Sequence, residues 1–513
     1  MNRGNFDLCS LLNKVNPILN LLPLFVVDNL KQLEMKYRFT FLLSIIMLLL
    51  LSSCSKDEKI VITDTDADGI EDVIDNCVSL INSEQIDTDG DGIGDVCDED
   101  DDNDTIPDLI DNCPLTANTD QKDTDEDRIG DVCDSTPIKR QVCTDGRAGE
   151  YPCSNYDLMI QVDLSTMSAT AANDSWGWTD PTTNKEYAII GLNNGTAFID
   201  ITDTENVIYL GKLPTATTSS AWRDVKVYKN HAFIVSEATN HGMQVFDLEK
   251  LRTATTGLPK IFSADTHFTE FGKAHNIVIN ETSGYAYPVG TSKSGTYKGG
   301  PLFININDPK NPVSEGGWGM DNYSHDAQVV TYNGPDSDYT GKEILIGSNE
   351  NEVVIVDITD KSNPKNISKI SYANVGYTHQ GWFTEDQKYF ILGDELDEQR
   401  VGFNTRSIIF DFSDLDAPTE KFIYTGPTRA IDHNGYVKGN TFYLANYTAG
   451  VRFIDVTSIG SSTMTEIGYF DTYPLNNGAN FNGVWSVYPY FNSGNIVISD
   501  INRGLFIVRK SGS

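Results

Sequence analysis

Four runs of aspartates at alternate positions lie between residues 64 and 131. Of all the residues in the chain, these have the spacing that most clearly predicts ligand binding. In the first run, Asp64, Asp66 and Asp68 precede Gly69 and Asp72. Ca²⁺ takes about six to eight oxygen ligands, and alternating carboxylates in a tight loop bring several to one point. The sequence therefore predicts a series of calcium-binding loops. The predicted ligands are Asp64, Asp66, Asp68, Asp72, Asp75, Asp87, Asp89, Asp91, Asp95, Asp98, Asp100, Asp102, Asp104, Asp108, Asp111, Asp123, Asp125, Asp127 and Asp131.

The loops begin like an EF-hand loop but continue differently. They lack the bidentate glutamate at the last ligand position and the flanking helices of an EF-hand. Asp-Asn-Cys and Gly-Asp-Val-Cys sequences follow instead, and they end at Cys77, Cys97, Cys113 and Cys133. This set resembles thrombospondin type 3 repeats. The resemblance implies that residues 64–134, here called the aspartate-rich segment, wrap around calcium ions with almost no hydrophobic core, and that Cys77 pairs with Cys97 and Cys113 with Cys133.

Two positions of the aspartate-rich segment depart from the repeat pattern. Thr105 and Arg128 stand where glycine is expected, so we expect those two loops to bind calcium less tightly. A disordered acidic spacer is the alternative that composition alone favours, whereas the strict spacing and the cysteines favour a folded segment. Without metal the carboxylates repel one another, so folding and calcium binding are expected to be coupled.

Histidines form the second group of candidate functional residues. His275, His325, His379 and His433 occupy one repeat position, at the start of predicted inner strands. Imidazoles with carboxylates nearby can hold a transition metal, and a concave polar pocket can equally bind another ligand. The alternative is that these histidines only hydrogen-bond neighbouring repeats. Further candidates at the same end are Arg223, Asp224, Glu237 and Asp394.

No catalytic residue is assigned from the sequence. It contains no nucleophile elbow, no His-Glu-x-x-His helix and no phosphate-binding glycine loop. The run Asp394-Glu395-Leu396-Asp397-Glu398 has paired carboxylates. We interpret it as either a solvated face or a second calcium site.

Short strands must position these histidines. From Cys143 onward, short apolar runs bounded by Gly, Asn and Asp indicate strands. One sequence motif, here called the repeated phrase and exemplified by Val354-Ile355-Val356-Asp357-Ile358, occurs seven times. Its copies are 44 to 58 residues apart, which is the length range of a four-stranded propeller blade. We therefore predict an all-β fold, a seven-bladed β-propeller over residues 143–513, with each copy as the third strand of its blade.

The ends of the propeller predict how it closes. The seventh copy ends at Arg509-Lys510 without room for a fourth strand, and a spare strand, residues 157–163, precedes the first blade. The simplest closure has the spare strand complete the last blade, which removes an open edge. Cysteines in an exported chain indicate disulfides, and Cys143 with Cys153 would tie the approach to that strand.

The propeller region also carries a family resemblance. The phrase around Ile355-Val356-Asp357 resembles the LVIVD repeat. Residues 143–509 resemble the choice-of-anchor B family of bacterial surface proteins. The match lies in residues 176–180, 274–278, 377–382 and 393–398. The resemblance implies a propeller at the cell surface and supplies no established activity.

The N-terminal region predicts export and a lipid anchor. Basic residues after Met35 precede the apolar run 39–51 and small residues before Cys54. The run is short for a membrane span and indicates a signal peptide. It resembles a bacterial lipobox, which implies lipidation of Cys54; an uncleaved membrane anchor is the alternative. We assign residues 1–34 to an upstream extension, 35–53 to the signal peptide and 54–63 to a tether, whose start resembles surface-export signals of Bacteroidetes lipoproteins.

The charge of the chain is concentrated in one segment. The net charge is −36, and residues 57–134 carry 28 acidic and 3 basic side chains. Such a field excludes nucleic acid as a partner and favours cations. We expect a calcium-binding outer-membrane lipoprotein at the surface of a Gram-negative, Bacteroidetes-like bacterium, touching the membrane through its lipid alone. Its propeller would bind an extracellular protein or glycan; a metal-dependent enzyme acting at the histidines is the second hypothesis.

Overall fold

The computed structural model describes residues 63–123, 130–133 and 140–512. Within these ranges, no helix is both long and apolar enough to cross a membrane. The chain divides into two compact units, Met1–Asp101 and Asp102–Ser513, so the division falls inside the aspartate-rich segment. Several predictions fall outside the described residues: the upstream extension, the signal peptide, Cys54, Asp125, Asp127 and Arg128.

The described part of the first unit, residues 63–101, consists of turns and bends. Cys77 and Cys97 form a disulfide, as the resemblance implies. Val73 and Ile74 are exposed, so apolar burial contributes little here. Backbone hydrogen bonds join the turns instead, such as the one from Gly94 N–H to the Asn76 carbonyl at 3.0 Å.

The second unit contains the rest of the aspartate-rich segment and a β-propeller. Cys113 and Cys133 form the second disulfide. Seven sheets follow in the described part of the chain, which confirms the predicted all-β, seven-bladed fold. Three strands precede the first blade: β1 (Arg147–Ala148), β2 (Tyr151–Ser154) and β3 (Tyr156–Val162).

Blades 1 to 4 each run from an inner strand to an outer one. Blade 1 consists of β4 (Ala172–Thr179), β5 (Glu186–Leu192), β6 (Gly195–Asp200) and β7 (Ile208–Pro214). Blade 2 consists of β8 (Arg223–Tyr228), β9 (His231–Ser236) and β10 (Met243–Asp247), with β11 (Lys260–Ile261) in the connection to its outer strand β12 (Thr266–Phe268). Blade 3 consists of β13 (Asn276–Asn280), β14 (Tyr285–Val289), β15 (Leu302–Asn305) and β16 (Val313–Gly317). Blade 4 consists of β17 (Asp326–Thr331), β18 (Glu343–Ser348), β19 (Val353–Asp357) and β20 (Lys365–Ile370).

Blades 5 to 7 complete the ring. Blade 5 consists of β21 (Thr378–Phe383), β22 (Tyr389–Asp394), β23 (Arg406–Asp411) and β24 (Thr419–Thr425). Blade 6 consists of β25 (Gly435–Lys438), β26 (Thr441–Ala445), β27 (Val451–Asp455) and β28 (Thr465–Phe470). Blade 7 consists of β29 (Val484–Tyr488), β30 (Ile496–Asp500), β31 (Gly504–Lys510) and β3. The connections carry helix α1 (Asp397–Arg400) and three 3-10 helices, Leu248–Thr253, Ser337–Tyr339 and Ile459–Ser461.

Each copy of the repeated phrase is the third strand of its blade, as predicted. Strand β19 is buried along its apolar run, from Val353 to Val356. Neighbouring blades cover both faces of a third strand, so its sequence is continuously apolar and does not alternate. Between blades 4 and 5, for example, Ile346 and Ile355 pack in one cluster with Leu392 and Ile408.

The aspartate that ends the phrase has a local role. Asp357 Oδ1 accepts a hydrogen bond from Thr359 N–H at 2.9 Å, and Asp455 Oδ1 accepts one from Thr457 N–H at 2.8 Å. Aspartate and asparagine favour such turns because their side chains bond the backbone two residues ahead. The phrase thus encodes both a buried strand and the turn that leaves it.

The N-terminal strand closes the ring. Strand β3 pairs antiparallel with β31, with Leu158 opposite Val508, which confirms the predicted closure. Cys143 and Cys153 form the third disulfide. Strand β2 pairs with β28, so the β1–β2 hairpin extends blade 6, a contact that the sequence analysis did not predict.

Candidate functional site

The first two aspartate loops each gather carboxylates. Ligand oxygens of Asp64, Asp66 and Asp68 lie within 4.8 Å of one another, and so do those of the loop 87–91. Asp66 and Asp89 each hold one shielded oxygen that receives no hydrogen bond from the described residues. A shielded oxygen within a group of carboxylates suits a bound divalent cation. Calcium in particular is coordinated by several oxygen ligands, most of them from carboxylates in loops of this kind. The loops can therefore hold calcium.

The fourth aspartate of a loop contacts protein donors. Asp72 accepts hydrogen bonds from Thr65 N–H at 2.7 Å and Thr65 Oγ1–H at 2.9 Å. Asp95 accepts the same pair from Thr88, both at 2.8 Å. Asp131 pairs with Lys122 at 2.5 Å. In the first two loops the predicted fourth ligand thus also fixes the start of its loop, and Asp131 bonds the residue that precedes Asp123.

The remaining described aspartates lie in the same turns and shape them. Asp75 Oδ1 accepts Cys77 N–H at 2.8 Å, and Asp111 Oδ1 accepts Cys113 N–H at 2.7 Å. Asp104 is buried and accepts Asn118 N–H at 2.6 Å. The other predicted ligands in these turns are Asp87, Asp91, Asp98, Asp100, Asp102, Asp108 and Asp123.

Amide side chains hold the loops in place, and sequence analysis missed them. Asn82 Nδ2 donates to Asn76 Oδ1 at 2.6 Å, and Gln85 Nε2 donates to Asp75 Oδ1 at 2.9 Å. The same pair of bonds recurs 36 residues later. A Cβ atom at Gly94 would lie 2.5 Å from Asn76 Oδ1, so this network requires glycine there. The 36-residue recurrence of Asn and Gln was the signal in the sequence.

The four predicted histidines lie side by side at one end of the propeller channel, here called the mouth. Ring centroids are 4.2 Å apart for His275 and His325, 4.4 Å for His325 and His379, and 4.4 Å for His379 and His433. Each histidine comes from a different blade, at or just before its inner strand. The common repeat position therefore brings all four together, as the sequence predicts.

Backbone carbonyls of the following blades fix how these rings are protonated. His325 Nδ1 lies 3.3 Å from the His379 carbonyl oxygen, and His433 Nδ1 lies 2.5 Å from that of Trp485. A carbonyl only accepts, so Nδ1 carries the proton and Nε2 keeps its lone pair. Burial lowers the pKa of His433 to about 4 and holds the pKa of His325 and His379 well below the usual value. His325, His379 and His433 are therefore neutral imidazoles.

Glu395 joins two of the histidines. Its Oε2 lies 3.7 Å from His379 Nε2, and its Oε1 lies 3.7 Å from His433 Nε2. Burial raises the pKa of Glu395 to about 7, and Tyr447 Oη donates to its Oε1 at 3.0 Å. Two imidazole nitrogens and one carboxylate within 4.8 Å of one another form a metal-ligand set. The sequence analysis placed the adjacent Asp394 among the candidates at this end of the propeller and so missed Glu395 as a member of the site.

The other predicted mouth residues have separate contacts. Glu237 Oε1 lies 2.6 Å from His275 Nδ1. Asp394 accepts backbone N–H bonds from Gly376 and Tyr377, both at 2.6 Å, and so shapes its own loop. Arg223 is buried, and its Nε donates to the Leu192 carbonyl at 3.1 Å. Asp224 pairs with Lys226 at 2.5 Å within the channel.

Aromatic rings surround the histidines. Tyr377 lies 5.1 Å from the His325 ring, and Tyr447 and Trp485 each lie 4.8 Å from the His433 ring. Sequence analysis missed these rings as site residues. Aromatic faces beside a few polar groups are typical of a ligand pocket.

A separate cavity of about 400 Å³ lies in the channel, lined by later residues of the inner strands. Trp176, Trp382 and Tyr490 contribute rings to it. Lys226 lies over the Trp176 ring at 4.6 Å and pairs with Asp174 at 3.0 Å. This cavity has its own aromatic lining and one buried cation.

Comparison with known families identifies the repeats. Residues 63–85 and 86–121 match the family described as thrombospondin type 3 repeat. No curated protein sequence matches the chain. A protein from Lactobacillus plantarum is 13% identical in sequence over 64% of this chain and 88% of its own, with a TM-score of 0.43. Hydrazine synthase from Kuenenia stuttgartiensis is 12% identical over 64% of this chain and 93% of its own, with a TM-score of 0.45.

Proposed function

We propose that this chain is a lipid-anchored cell-surface protein whose propeller is a recognition platform for an extracellular protein or glycan, and whose aspartate-rich segment is a calcium-stiffened spacer. The observation that carries the proposal is that calcium-type repeats precede a closed ring whose mouth groups aromatic and polar side chains. A pocket of this composition suits ligand recognition. Lipidation of Cys54 would supply the attachment.

The same architecture supports assignment to the choice-of-anchor B family. The repeated phrase is the third strand of every blade, so the residues that resemble the LVIVD repeat are the ones that build the ring. The N-terminal pattern around Cys54 adds a means of attachment. On this proposal the family places the propeller at the cell surface of a Gram-negative bacterium.

A metal centre at the mouth is the second candidate function. His379, Glu395 and His433 supply three ligand atoms. The neutral imidazole is the form of histidine that binds metal. Zinc with three protein ligands and an open position polarises carbonyl groups and activates bound water. A hydrolase acting at the mouth would use this set.

Elemental analysis separates the two candidates. The full chain, purified without metal-chelating tags, is compared with the double variant His379→Ala/His433→Ala and with the control His231→Ala. His231 lies on blade 2, where its Nδ1 is 2.7 Å from the Lys229 carbonyl. Stoichiometric zinc, copper, manganese or iron in the parent and the control, but not in the double variant, supports the metal centre.

Binding to an array of extracellular glycans tests the recognition platform directly. A metal-free parent that binds a subset of glycans, with binding retained in the double variant, supports recognition without metal chemistry. Binding lost together with the metal would assign ligand recognition to the metal centre. No binding to glycans or to immobilised surface proteins by the parent would contradict the recognition platform.

A further inference from the structure

The cavity of about 400 Å³ lies at the end of the channel opposite the mouth, and we call it the outlet pocket. The mouth histidines lie at or just before the inner strands, whereas the outlet pocket is lined by later residues of those strands and by residues that follow them, such as Glu281 after β13 and Tyr490 after β29. Inner strands surround the channel of a propeller, so the two sets of residues lie at opposite ends. Small-ligand sites have volumes of about 300–1,000 Å³, and the outlet pocket is within that range.

Buried side chains close the channel between its two ends. Lys226 Nζ donates to Asp174 Oδ2 at 3.0 Å and to Asp224 Oδ1 at 2.5 Å. It also donates to the Val225 carbonyl at 3.2 Å. The cavity among these side chains has a volume of only about 10 Å³, and a space of that size holds at most about one water molecule. The mouth and the outlet pocket are therefore separate sites.

Aromatic rings form one wall of the outlet pocket. Ring centroids are 5.1 Å apart for Trp176 and Tyr488, and 5.3 Å apart for Tyr488 and Tyr490. Trp382 from blade 5 also lines the pocket, and its ring lies 4.9 Å from that of the buried Tyr436. Both tryptophans and Tyr490 are only partly buried, so a ligand can cover their exposed surface.

The opposite wall, from blades 2 to 4, combines aliphatic and polar side chains. The aliphatic ones are Val227, Val278, Ile279 and Val329. Gln328 Oε1 accepts a hydrogen bond from Phe383 N–H at 2.9 Å, and its Nε2 donates to none of the described residues. Glu281 is exposed, and its carboxylate forms neither a hydrogen bond nor an ion pair with a described residue. The pocket therefore offers a donor and an acceptor to a ligand.

The charges of the outlet pocket argue against an ionic ligand. An ammonium group has three N–H donors, and all three of Lys226 are already used within the floor, so this cation cannot also bind an anion. A site for an organic cation encloses the cation between aromatic faces, whereas here the rings lie on one wall. Lys226 itself already covers Trp176, with Nζ 4.6 Å from the ring centroid. A neutral ligand fits this pocket better.

We propose that the outlet pocket binds a neutral saccharide, with one sugar ring packed against the aromatic wall. A sugar ring has C–H faces that pack on aromatic side chains, and its hydroxyl groups both donate and accept hydrogen bonds. Glu281 accepts from these hydroxyls, and Gln328 Nε2 donates to one of them. The site needs neither the mouth nor a metal, so the proposal goes beyond the function proposed above and does not depend on it.

Saturation-transfer NMR on the full chain in calcium tests this site. The probes are the methyl glycosides of glucose, galactose, mannose, fucose, xylose and N-acetylglucosamine, each added in excess. Protons of a bound glycoside receive saturation from the protein, whereas those of a glycoside that does not bind stay unsaturated. We expect transfer to at least one of the six, and titration of that glycoside gives its dissociation constant.

Two variants remove the proposed contacts. Trp382→Leu removes a ring of the aromatic wall and should weaken binding at least about tenfold. Glu281→Ala removes the exposed carboxylate and should weaken binding about three- to tenfold. The matched controls are Trp222→Leu and Glu420→Ala, two exposed positions that do not line the pocket. Both controls should keep the parent's dissociation constant.

The mouth variant His379→Ala/His433→Ala separates the two ends of the channel. It should bind the glycoside as the parent does. Its loss of binding, with retention in Trp382→Leu and Glu281→Ala, would assign recognition to the mouth and contradict the outlet pocket. Transfer to none of the six glycosides overturns the proposal, and so does parent-like binding in both pocket variants. If Trp382→Leu does not fold, Glu281→Ala alone decides the outcome.

Tetramethylammonium chloride checks the class of ligand. Added at a concentration equal to that of the bound glycoside, it should leave the saturation transfer unchanged, because the aromatic rings lie on one wall and do not enclose a cation. Displacement of the glycoside by tetramethylammonium would overturn the assignment of a neutral ligand.

Discussion

In His325 and His433, the neighbouring blade determines which ring nitrogen carries the proton. Each directs Nδ1 at a backbone carbonyl of the following inner strand, and each is buried, so the ring stays neutral with Nε2 available. Glu395 lies 3.7 Å from this Nε2 of His433 and 3.7 Å from Nε2 of His379. The same residue type at an exposed position would titrate near neutral pH and bind metal less well.

Thr105 gives a prediction for a single residue. Its φ is +82°, in the region where Gly69 and Gly92 both have +97°, and a β-branched residue is strained there. A non-glycine residue in this region costs about 1–2 kcal/mol. Thr105→Gly should strengthen calcium binding by its loop by roughly tenfold, because folding and binding are coupled.

Calorimetric titration with calcium measures this effect, with Gly92→Thr as the matched control. Gly92 occupies the corresponding position of its own loop, and a Cβ added there meets no atom within 4 Å. The control therefore introduces backbone strain without a clash and should weaken one calcium event. Unchanged titrations for both variants would show that the backbone conformation does not limit binding.

Single residues differed in how well the sequence predicted them. The aspartates and histidines were visible because their spacing repeats. Glu395 was not, because only one of the two acidic residues at that turn reaches the histidines while Asp394 bonds backbone N–H groups. The complete burial of Glu398 and Asp432 was also invisible, since a sequence shows a carboxylate but not its exposure.

Among the elements, β3 closes the ring, so a substitution in it should affect stability. Leu158 is fully buried and lies opposite Val508 of β31. Leu158→Ala should lower the free energy of unfolding by about 2–5 kcal/mol, since it leaves a cavity at the closing pair of strands. Chemical denaturation followed by tryptophan fluorescence measures the change.

Val142→Ala is the control for Leu158→Ala. Val142 lies just before the Cys143–Cys153 disulfide and is about half exposed. Its truncation should change the free energy of unfolding by less than about 0.5 kcal/mol. Equal effects of both substitutions would mean that β3 does not contribute to the closure energy.

Strand-level predictions succeeded where burial imposes a pattern. Third strands are covered on both faces, so their continuous apolar runs are visible in sequence. The two-residue strands β1 and β11 are too short to produce any periodicity, and β11 pairs with β7 of the preceding blade. The addition of β1 and β2 to blade 6 depends on that blade's free outer edge, which sequence does not reveal.

At the scale of the whole molecule, two modes of stabilisation occur in one chain. The aspartate-rich segment is held by disulfides, amide hydrogen bonds and the cations that its carboxylates can bind. The propeller is held by apolar clusters between blades. Loss of calcium should therefore destabilise the aspartate-rich segment more than the propeller.

Limited proteolysis with an aspartate-specific protease tests that inequality. In chelator, cleavage within residues 63–133 should rise about tenfold or more, because carboxylate repulsion opens the turns, while cleavage within residues 172–510 should change much less. The fragments are reduced before mass spectrometry, since Cys77–Cys97 and Cys113–Cys133 would hold them together. Equal protection of residues 63–133 with and without calcium would argue against coupled folding and binding.

The pairing of β3 with β31 also bears on how the protein is synthesised. Strand β3 leaves the ribosome before every blade, yet its partner, Gly504–Lys510, is translated after every other strand of the propeller. Until then the seven residues of β3, all buried in the finished ring, have no sheet to join. The ring therefore closes only after β31 has been made, so this topology delays completion of the propeller until all seven blades are present.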